Sequence, residues 1–257
     1  MKAPLGDYYA YMKETRLIMG MPIEIEIVGA EVRDALDAAF AYLVGVEERF
    51  SFYKETSEVS RMNRGEIAPS EESDEMREVL ALAEKTKRET GGYFDIRRPD
   101  GRIDPSGVVK GWAIQKTAEL LHKDGYDNFM VNAGGDIAMS GMDAEGKEWS
   151  VGIRNPFNIH EIVKVLYPHG AGIATSGSYI RGAHIYNPLA PSEVLDDVVS
   201  ITVIGPDVLS ADLYATSAFA MGKKGIEFIE RLPGFEGYAI DAKGMATMTS
   251  GFGAYLV

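Results

Sequence analysis

Isoleucine and glutamate alternate near the start of the chain, in the segment PIEIEIVG at residues 22–29. A period of two puts the isoleucines on one face of a strand, with Glu24 and Glu26 on the other. The pattern predicts a half-buried strand of an antiparallel sheet.

Three segments have the spacing of amphipathic helices, with apolar residues recurring every three or four positions. They span 31–49, 72–90 and about Val108 to Lys123. The first two carry acidic residues opposite the apolar stripe. Each is therefore expected to pack one side against a core.

Further strands are predicted at about 129–132, 148–154, 162–167, 171–175 and 198–204, followed by a C-terminal hairpin that turns at Asp241 to Gly244. Strands mixed with helix pairs predict an α+β fold with a mixed, largely antiparallel sheet. No internal repeat or linker interrupts the chain. We therefore expect a single domain over 1–257, built as one unit or as two tightly packed lobes.

The segment SADLYATSAFAMG, residues 210–222, is predicted to be a helix with Ser210 as its N-cap and Asp212 in its first turn. Asp212 and Thr216 are four residues apart and so share one helix face. A carboxylate and a hydroxyl are hard oxygen donors of the kind that Mg²⁺ prefers. Taken alone, the pair is more typical of a solvated helix face than of a metal site.

Charge and composition narrow the classes of partner. The 26 basic and 39 acidic residues give a net charge of −13, which argues against nucleic acid or an anionic membrane as partner. A polyanionic ligand would need local neutralisation by a cation or by helix N-termini. The absence of cysteine excludes thiolate catalysis and cysteine metal sites.

The first twenty residues contain no long apolar run, and Asp7 and Lys13 fall where a signal peptide would be hydrophobic. We therefore expect a cytoplasmic protein without membrane insertion. An export signal upstream of this sequence would change that expectation.

Three glycine-rich segments follow predicted elements: NAGGDI at 132–137, GIATSGSYIRGAHIYNP at 172–188 and DPSGVVKGWAIQ at 104–115. The last places Gly107 and Lys110 at the mouth of a helix, which suits an anion. None matches the dinucleotide fingerprint or the phosphate-binding loop. A Rossmann or P-loop enzyme is therefore not expected.

Seven ordered motifs together resemble the flavin transferase family often called ApbE, the FAD:protein FMN transferases. They are MG at 19, SFYKETSEVSRMN at 51, GGYFDI at 91, DPSGVVKGWA at 104, VNAGGDIAMSG at 131, ATSGSYIRGAHIYNP at 174 and ADLYATSAFAMG at 211. The resemblance extends over about residues 16–255. It implies an ApbE-like α+β architecture related to the T-fold.

The resemblance also implies a reaction. Such enzymes bind FAD and Mg²⁺, cleave the pyrophosphate, transfer FMN to a threonine of another protein and release AMP. Asp212 and Thr216 would ligate Mg²⁺ through their side chains, together with the main-chain carbonyl of Ala113. The acceptor threonine would lie in a sequence like Asp-x-x-Ser/Thr-Gly-Ala-Thr, which this chain lacks.

Further residues match family positions around FAD. His184 would be the general base that takes the proton of the acceptor threonine, and Asp212 would be catalytic through the metal. The positions implied to contact FAD are Met19 and Tyr53 beside the isoalloxazine ring, Tyr93, Phe94 and Asp95 near the adenine, Lys110, and Ile185 on the flavin side.

Some positions depart from the family pattern: Met21, Gln115, Ser178 and Asn187. They leave two alternatives open. One is a flavin-binding or carrier protein that holds FAD without transferring FMN. The other is an FAD pyrophosphatase, in which water replaces the threonine.

Overall fold

The structure, a computed structural model, describes residues 9–178 and 185–256. His184, the expected general base, lies outside the described residues. The strands are β1 (Tyr11–Ile18), β2 (Met21–Val28), β3 (Phe129–Ala133), β4 (Asp136–Ser140), β5 (Val151–Asn155), β6 (Asn158–Leu166), β7 (Gly172–Gly177), β8 (Val198–Gly205), β9 (Glu236–Asp241) and β10 (Ala246–Met248). The helices are α1 (Arg33–Phe50), α2 (Glu58–Asn63), α3 (Asp74–Glu89), α4 (Ser106–Lys123), α5 (Val208–Ala220) and α6 (Lys224–Glu230).

Eight strands form one sheet in the order β1-β2-β3-β4-β7-β8-β9-β10, and every neighbouring pair is antiparallel. β5 and β6 form a separate two-stranded sheet. The α+β prediction with a largely antiparallel sheet is confirmed.

The sheet has a seam between β4 and β7. These strands share a single registered pair, Ile137 with Ile173, whereas β7 and β8 pair along six positions. Everything up to β4 lies on one side of the seam, and β7 to β10 with α5 and α6 lie on the other. On the helical face, α4 packs along α5 and bridges the two sides.

Alternation along the central strands sends side chains to two cores. Ile201 and Val203 of β8 face a core formed with α5 and α6, whereas Ile204 faces the opposite side of the sheet. There the β5–β6 hairpin covers the sheet with Trp149, Val151 and other apolar residues. The helices therefore lie on one face and the hairpin on the other.

The helix that contains Asp212 begins earlier than its sequence predicts. Asp207 is the N-cap, and its side chain accepts the main-chain N–H of Ser210 at 2.7 Å. Ser210 is thus the third residue of α5 rather than its cap, and Asp212 lies beyond the first turn. A cap accepts from the residue two or three positions ahead, and both Asp207 and Ser210 are acceptable capping residues, so composition alone did not separate them.

Four elements have no counterpart in the sequence prediction: β1, α2, β4 and α6. In β1 the exposed and half-buried positions alternate, because this strand is the edge of the sheet and carries charged residues on both faces. β4 follows β3 after only Gly134 and Gly135, so the two strands read as one apolar segment. None of the helices in the described ranges is long and apolar enough to cross a membrane.

Candidate functional site

Asp212 is buried at the seam, with 2% of its side chain exposed. Its Oδ2 atom accepts the main-chain N–H of Gly111 at 2.9 Å. Its Oδ1 atom lies 3.4 Å from the Nζ atom of Lys110. The carboxylate of α5 is therefore held by two consecutive residues of α4.

Gly111 is required for this close approach. A Cβ atom there would lie 2.8 Å from Cβ of Asp212 and 3.1 Å from Cα of Leu209. Real Cβ atoms essentially never approach as closely as 2.8 Å, so any larger residue would push α5 away from α4. The Lys-Gly pair of the sequence thus combines a cation with the space that lets a carboxylate reach it.

Asp136 is a second buried carboxylate, which the sequence reasoning did not assign. It is the first residue of β4 and is 0% exposed. Its Oδ1 atom accepts the main-chain N–H of Thr175 in β7 at 3.0 Å, and its Oδ2 atom contacts Nζ of Lys110. The signal in the sequence was an acid directly after Gly-Gly at the start of a buried strand.

Burial raises the pKa of Asp212 to about 7. The Lys110 ammonium acts in the opposite direction and lowers it, while the carboxylate of Asp136 raises it. The site therefore holds two close carboxylates and one ammonium where water has little access.

Hydroxyl groups line the adjacent turn of α5. Thr216 Oγ1 lies 3.3 Å from Oγ of Ser176 in β7, one helical turn beyond Asp212. Ser176 is buried. The predicted pair of Asp212 and Thr216 does share one face, and that face points towards β7 rather than towards solvent.

The main-chain carbonyl of Ala113 has a different partner from the side chains of Asp212 and Thr216. It accepts the hydroxyl of Thr117 at 2.7 Å. In an α-helix the carbonyl that faces the N–H of Gly111 belongs to Gly107, which therefore lies beside the Asp212 carboxylate. Ala113 is six residues further along α4, or about 9 Å at the rise of a helix.

The comparisons with known proteins agree with these motifs. The model of the ApbE family matches residues 19–100 and 96–239, which is most of the chain. The chain belongs to the ApbE family.

Curated relatives of this ApbE-family chain carry the name FAD:protein FMN transferase. That of Klebsiella pneumoniae is 27% identical over 242 residues, 90% of this chain and 67% of that protein. That of Vibrio cholerae is 29% identical over 170 residues, 63% of this chain and 51% of that protein. The matches thus span about half to two thirds of the length of these relatives.

Solved structures show that the fold is shared. The flavin transferase ApbE from Vibrio cholerae aligns with a TM-score of 0.84 at 23% identity, covering 96% of this chain and all of that one. The apbe protein from Thermotoga maritima aligns with a TM-score of 0.84 at 20% identity, with the same coverage of both chains. At these identities the likeness supports the ApbE architecture alone.

The donor set of this ApbE-family chain suits Mg²⁺. Within 9–178 and 185–256, no group of three or more histidine, cysteine, aspartate or glutamate residues is arranged to hold a metal ion. Mg²⁺ is commonly bound by one or two carboxylates, with substrate phosphates and water completing its shell. Asp212, with the Thr216 hydroxyl and a nearby main-chain carbonyl, fits that description.

Two residues implied to lie beside the flavin ring are both linked to Glu47, in the last turn of α1. Met19 has a positive φ of 54° and donates its main-chain N–H to Glu47 Oε1 at 3.1 Å. Lys54, next to Tyr53, lies 3.4 Å from the other carboxylate oxygen of Glu47. Tyr53 is 88% exposed, so its aromatic ring is open to solvent, and Met19 is half-buried.

The residues implied near the adenine precede α4. Phe94 is buried, with its ring 3.2 Å from where a Cβ of Gly107 would lie. Asp95 pairs with Lys87 at 2.6 Å, and Tyr93 is half-buried. Ile185 packs on the core beneath α5. Through Phe94, the segment 93–95 thus packs against the first turn of α4, the helix that carries Lys110.

The departures from the family pattern lie in different surroundings. Gln115 donates to Glu119 at 3.2 Å on the exposed side of α4, and Met21 is a buried core residue at the start of β2. Asn187 is buried and accepts the N–H of Leu189 at 3.0 Å, which closes a local turn. In the described structure, none of these three contacts Asp212.

Proposed function

We propose that this chain is a Mg²⁺-dependent FAD:protein FMN transferase, which moves the FMN moiety of FAD to a threonine of an acceptor protein and releases AMP. The observation that carries the proposal is the buried carboxylate of Asp212, which contacts Gly111 and Lys110. Both contacts lie within the residues that the ApbE family model matches. The names of the curated relatives support the same reaction.

Asp212 and Thr216 would hold the metal through their side chains. For the main-chain ligand we favour the carbonyl of Gly107 over that of Ala113, because it lies in the turn that Asp212 contacts. A Mg²⁺ ion bound there would neutralise pyrophosphate oxygens and stabilise the charge that develops on the attacked phosphorus. This local charge also reconciles an anionic substrate with a protein of net charge −13.

The remaining assignments concern binding of FAD. Met19 offers a thioether and Tyr53 an exposed ring, which suit the two faces of a flat aromatic system. Tyr93, Phe94 and Asp95 would meet the adenine end, and Ile185 the flavin side.

His184 would accept the proton from the acceptor threonine as its oxygen attacks phosphorus. Histidine side chains ordinarily have a pKa near neutral pH, which suits a general base. Replacing it, His184→Ala, should abolish transfer while FAD still binds, as measured by intact mass and by flavin fluorescence. Transfer that persists would remove His184 from this role.

A mixing experiment tests the proposal. The chain is incubated with FAD, Mg²⁺ and a domain that bears Asp-x-x-Ser/Thr-Gly-Ala-Thr, and intact mass reports an FMN adduct. We expect an adduct that disappears with chelator, with Asp212→Asn and with an acceptor whose threonine is valine. Lys116→Met, on the outer side of α4, is the matched variant that should leave the adduct intact.

The same experiment separates the two alternatives. FMN and AMP free in solution, without adduct, would overturn the transferase in favour of an FAD pyrophosphatase. FAD that stays bound with no product would overturn it in favour of a flavin-binding protein.

A further inference from the structure

Among residues 9–178 and 185–256, Lys110 is the one cation that contacts both buried carboxylates of the site. Its Nζ atom lies 3.4 Å from Oδ1 of Asp212 and contacts Oδ2 of Asp136. Its own side chain is 17% exposed, and the two carboxylates are 0% and 2% exposed. Charges this poorly solvated interact much more strongly than charges on the surface.

Each member of this trio is anchored to a different element. Asp136 starts β4 and is fixed by the N–H of Thr175 at 3.0 Å. Asp212 belongs to α5 and is fixed by the N–H of Gly111 at 2.9 Å. Lys110 has a flexible side chain on α4, so of the three charged groups it is the one that can move without shifting the backbone.

A divalent cation on Asp212 would lie close to this ammonium. Like charges at such a distance repel, so the ammonium would have to leave Asp212. The displaced ammonium could still bind the carboxylate of Asp136, because the contact between Lys110 and Asp136 does not involve Asp212.

We propose that Lys110 competes with Mg²⁺ for Asp212 and thereby sets the metal affinity, and that Asp136 is a positioning residue that holds the displaced ammonium. This inference rests on the metal site of the proposed function. It assigns Asp136 a role through Lys110 rather than as a metal ligand.

The test measures metal binding directly and needs no turnover. Mn²⁺ is titrated into the purified full chain, and free Mn²⁺ is counted by electron paramagnetic resonance, with Mg²⁺ competition to confirm the site. The variants are Lys110→Met, Asp136→Asn and the double variant. Lys116→Met, also on α4 and paired with Glu78 at 3.0 Å, is the matched control.

Removing the competing charge in Lys110→Met should tighten Mn²⁺ binding by about tenfold or more. Asp136→Asn should weaken it by about tenfold, because Lys110 then loses its contact with the Asp136 carboxylate and stays closer to Asp212. When Lys110 is already methionine, Asp136→Asn should change the affinity by no more than about twofold. Lys116→Met should match the wild type.

Other outcomes overturn the inference in distinguishable ways. Affinity that is unchanged or weaker in Lys110→Met would refute the competition while leaving the metal site intact. Equal weakening by Asp136→Asn in both backgrounds would make Asp136 a ligand instead. No saturable binding by the wild type would refute the metal site and this inference together.

Lys110→Met exposes two buried carboxylates to each other and could lose the fold. Lys110→Arg, which keeps the charge, then serves as the second test. It should fold, and its Mn²⁺ affinity should equal or fall below that of the wild type. Tighter binding by Lys110→Arg would contradict the proposal.

Discussion

At the scale of single residues, the contact between α4 and α5 depends on Gly111. Its missing side chain lets the Asp212 carboxylate reach a main-chain N–H inside a helix. Not every glycine in a helix of this protein has such a neighbour. Gly45 in α1 has no atom within 4 Å of a Cβ position.

Gly111→Ala should lower the free energy of unfolding by about 2 kcal/mol, because its Cβ overlaps Asp212 and the backbone at Leu209. It should also weaken Mn²⁺ binding. Gly45→Ala is the control and should raise stability by about 0.5–1 kcal/mol, since alanine favours a helix. Urea unfolding checks both. Equal effects at the two sites would mean that the close approach at Gly111 is not needed.

Asp212 should also leave a pH signature in the absence of metal. Its folded-state pKa of about 7 lies above the value of about 4 for an unfolded aspartate. Between these values the folded chain binds more protons than the unfolded chain, so its stability falls as pH rises from about 4 to about 7, and the loss persists above pH 7.

Asp212→Asn has no proton to lose, so its free energy of unfolding should fall less over the same pH window. The difference between the two proteins should be of the order of a few kcal/mol. Urea unfolding at several pH values with chelator present measures it. Identical pH profiles for the two proteins would show that Asp212 titrates normally.

At the scale of elements, α5 is placed by its first turn. Asp207 caps the helix through the N–H of Ser210. Gly172 at the start of β7 allows the same turn to lie against the strand, since a Cβ there would meet the main-chain N of Val208 at 2.1 Å. The cap and the glycine together fix where Asp212 and Thr216 fall.

Asp207→Ala should therefore cost about 1 kcal/mol of stability, the usual effect of losing an N-cap. Asp127→Ala, in the exposed turn after α4, is the matched control and should change stability by less than about 0.5 kcal/mol. Thermal unfolding followed by circular dichroism compares them. Asp207 would not be the effective cap if the two variants behaved alike.

At the scale of the whole molecule, the site lies across the seam of the sheet. Lys110 and Asp136 come from the part before the seam, and Asp212, Thr216 and Ser176 from the part after it. A single registered pair joins β4 to β7, so the two parts are held together mainly by packing of α4 on α5, by the apolar core beneath the β5–β6 hairpin and by the buried charges.

We expect the chain to unfold as one unit in spite of the thin strand pairing at the seam. Calorimetry should show one transition whose measured enthalpy equals the van't Hoff enthalpy. The close approach at Gly111 requires α4 from one part and α5 from the other, so neither part could form it alone. Two resolved transitions would instead show two lobes that fold separately.

Much of the fold was predictable from the chain because its patterns are local. Three amphipathic helices lie within about two residues of their predicted ends, and the strand at residues 22–29 corresponds to β2. β4 and α6 were not predicted, because a strand after a two-residue turn and a seven-residue helix leave no clear period in the sequence. Glu26, expected on a solvated face, is buried between β1 and β3, where it pairs with Lys13 at 3.4 Å.

Patterns along the chain were enough to predict the three amphipathic helices, the largely antiparallel sheet, the family motifs and the shared helix face of Asp212 and Thr216. Each depends on spacing along the chain, which a periodic backbone converts into a face. Tertiary packing buries this face against β7 and α4 and brings Asp136 and Lys110 to it. Those relations join residues up to 101 positions apart, and their distances follow from how helices and strands pack, which no local pattern encodes.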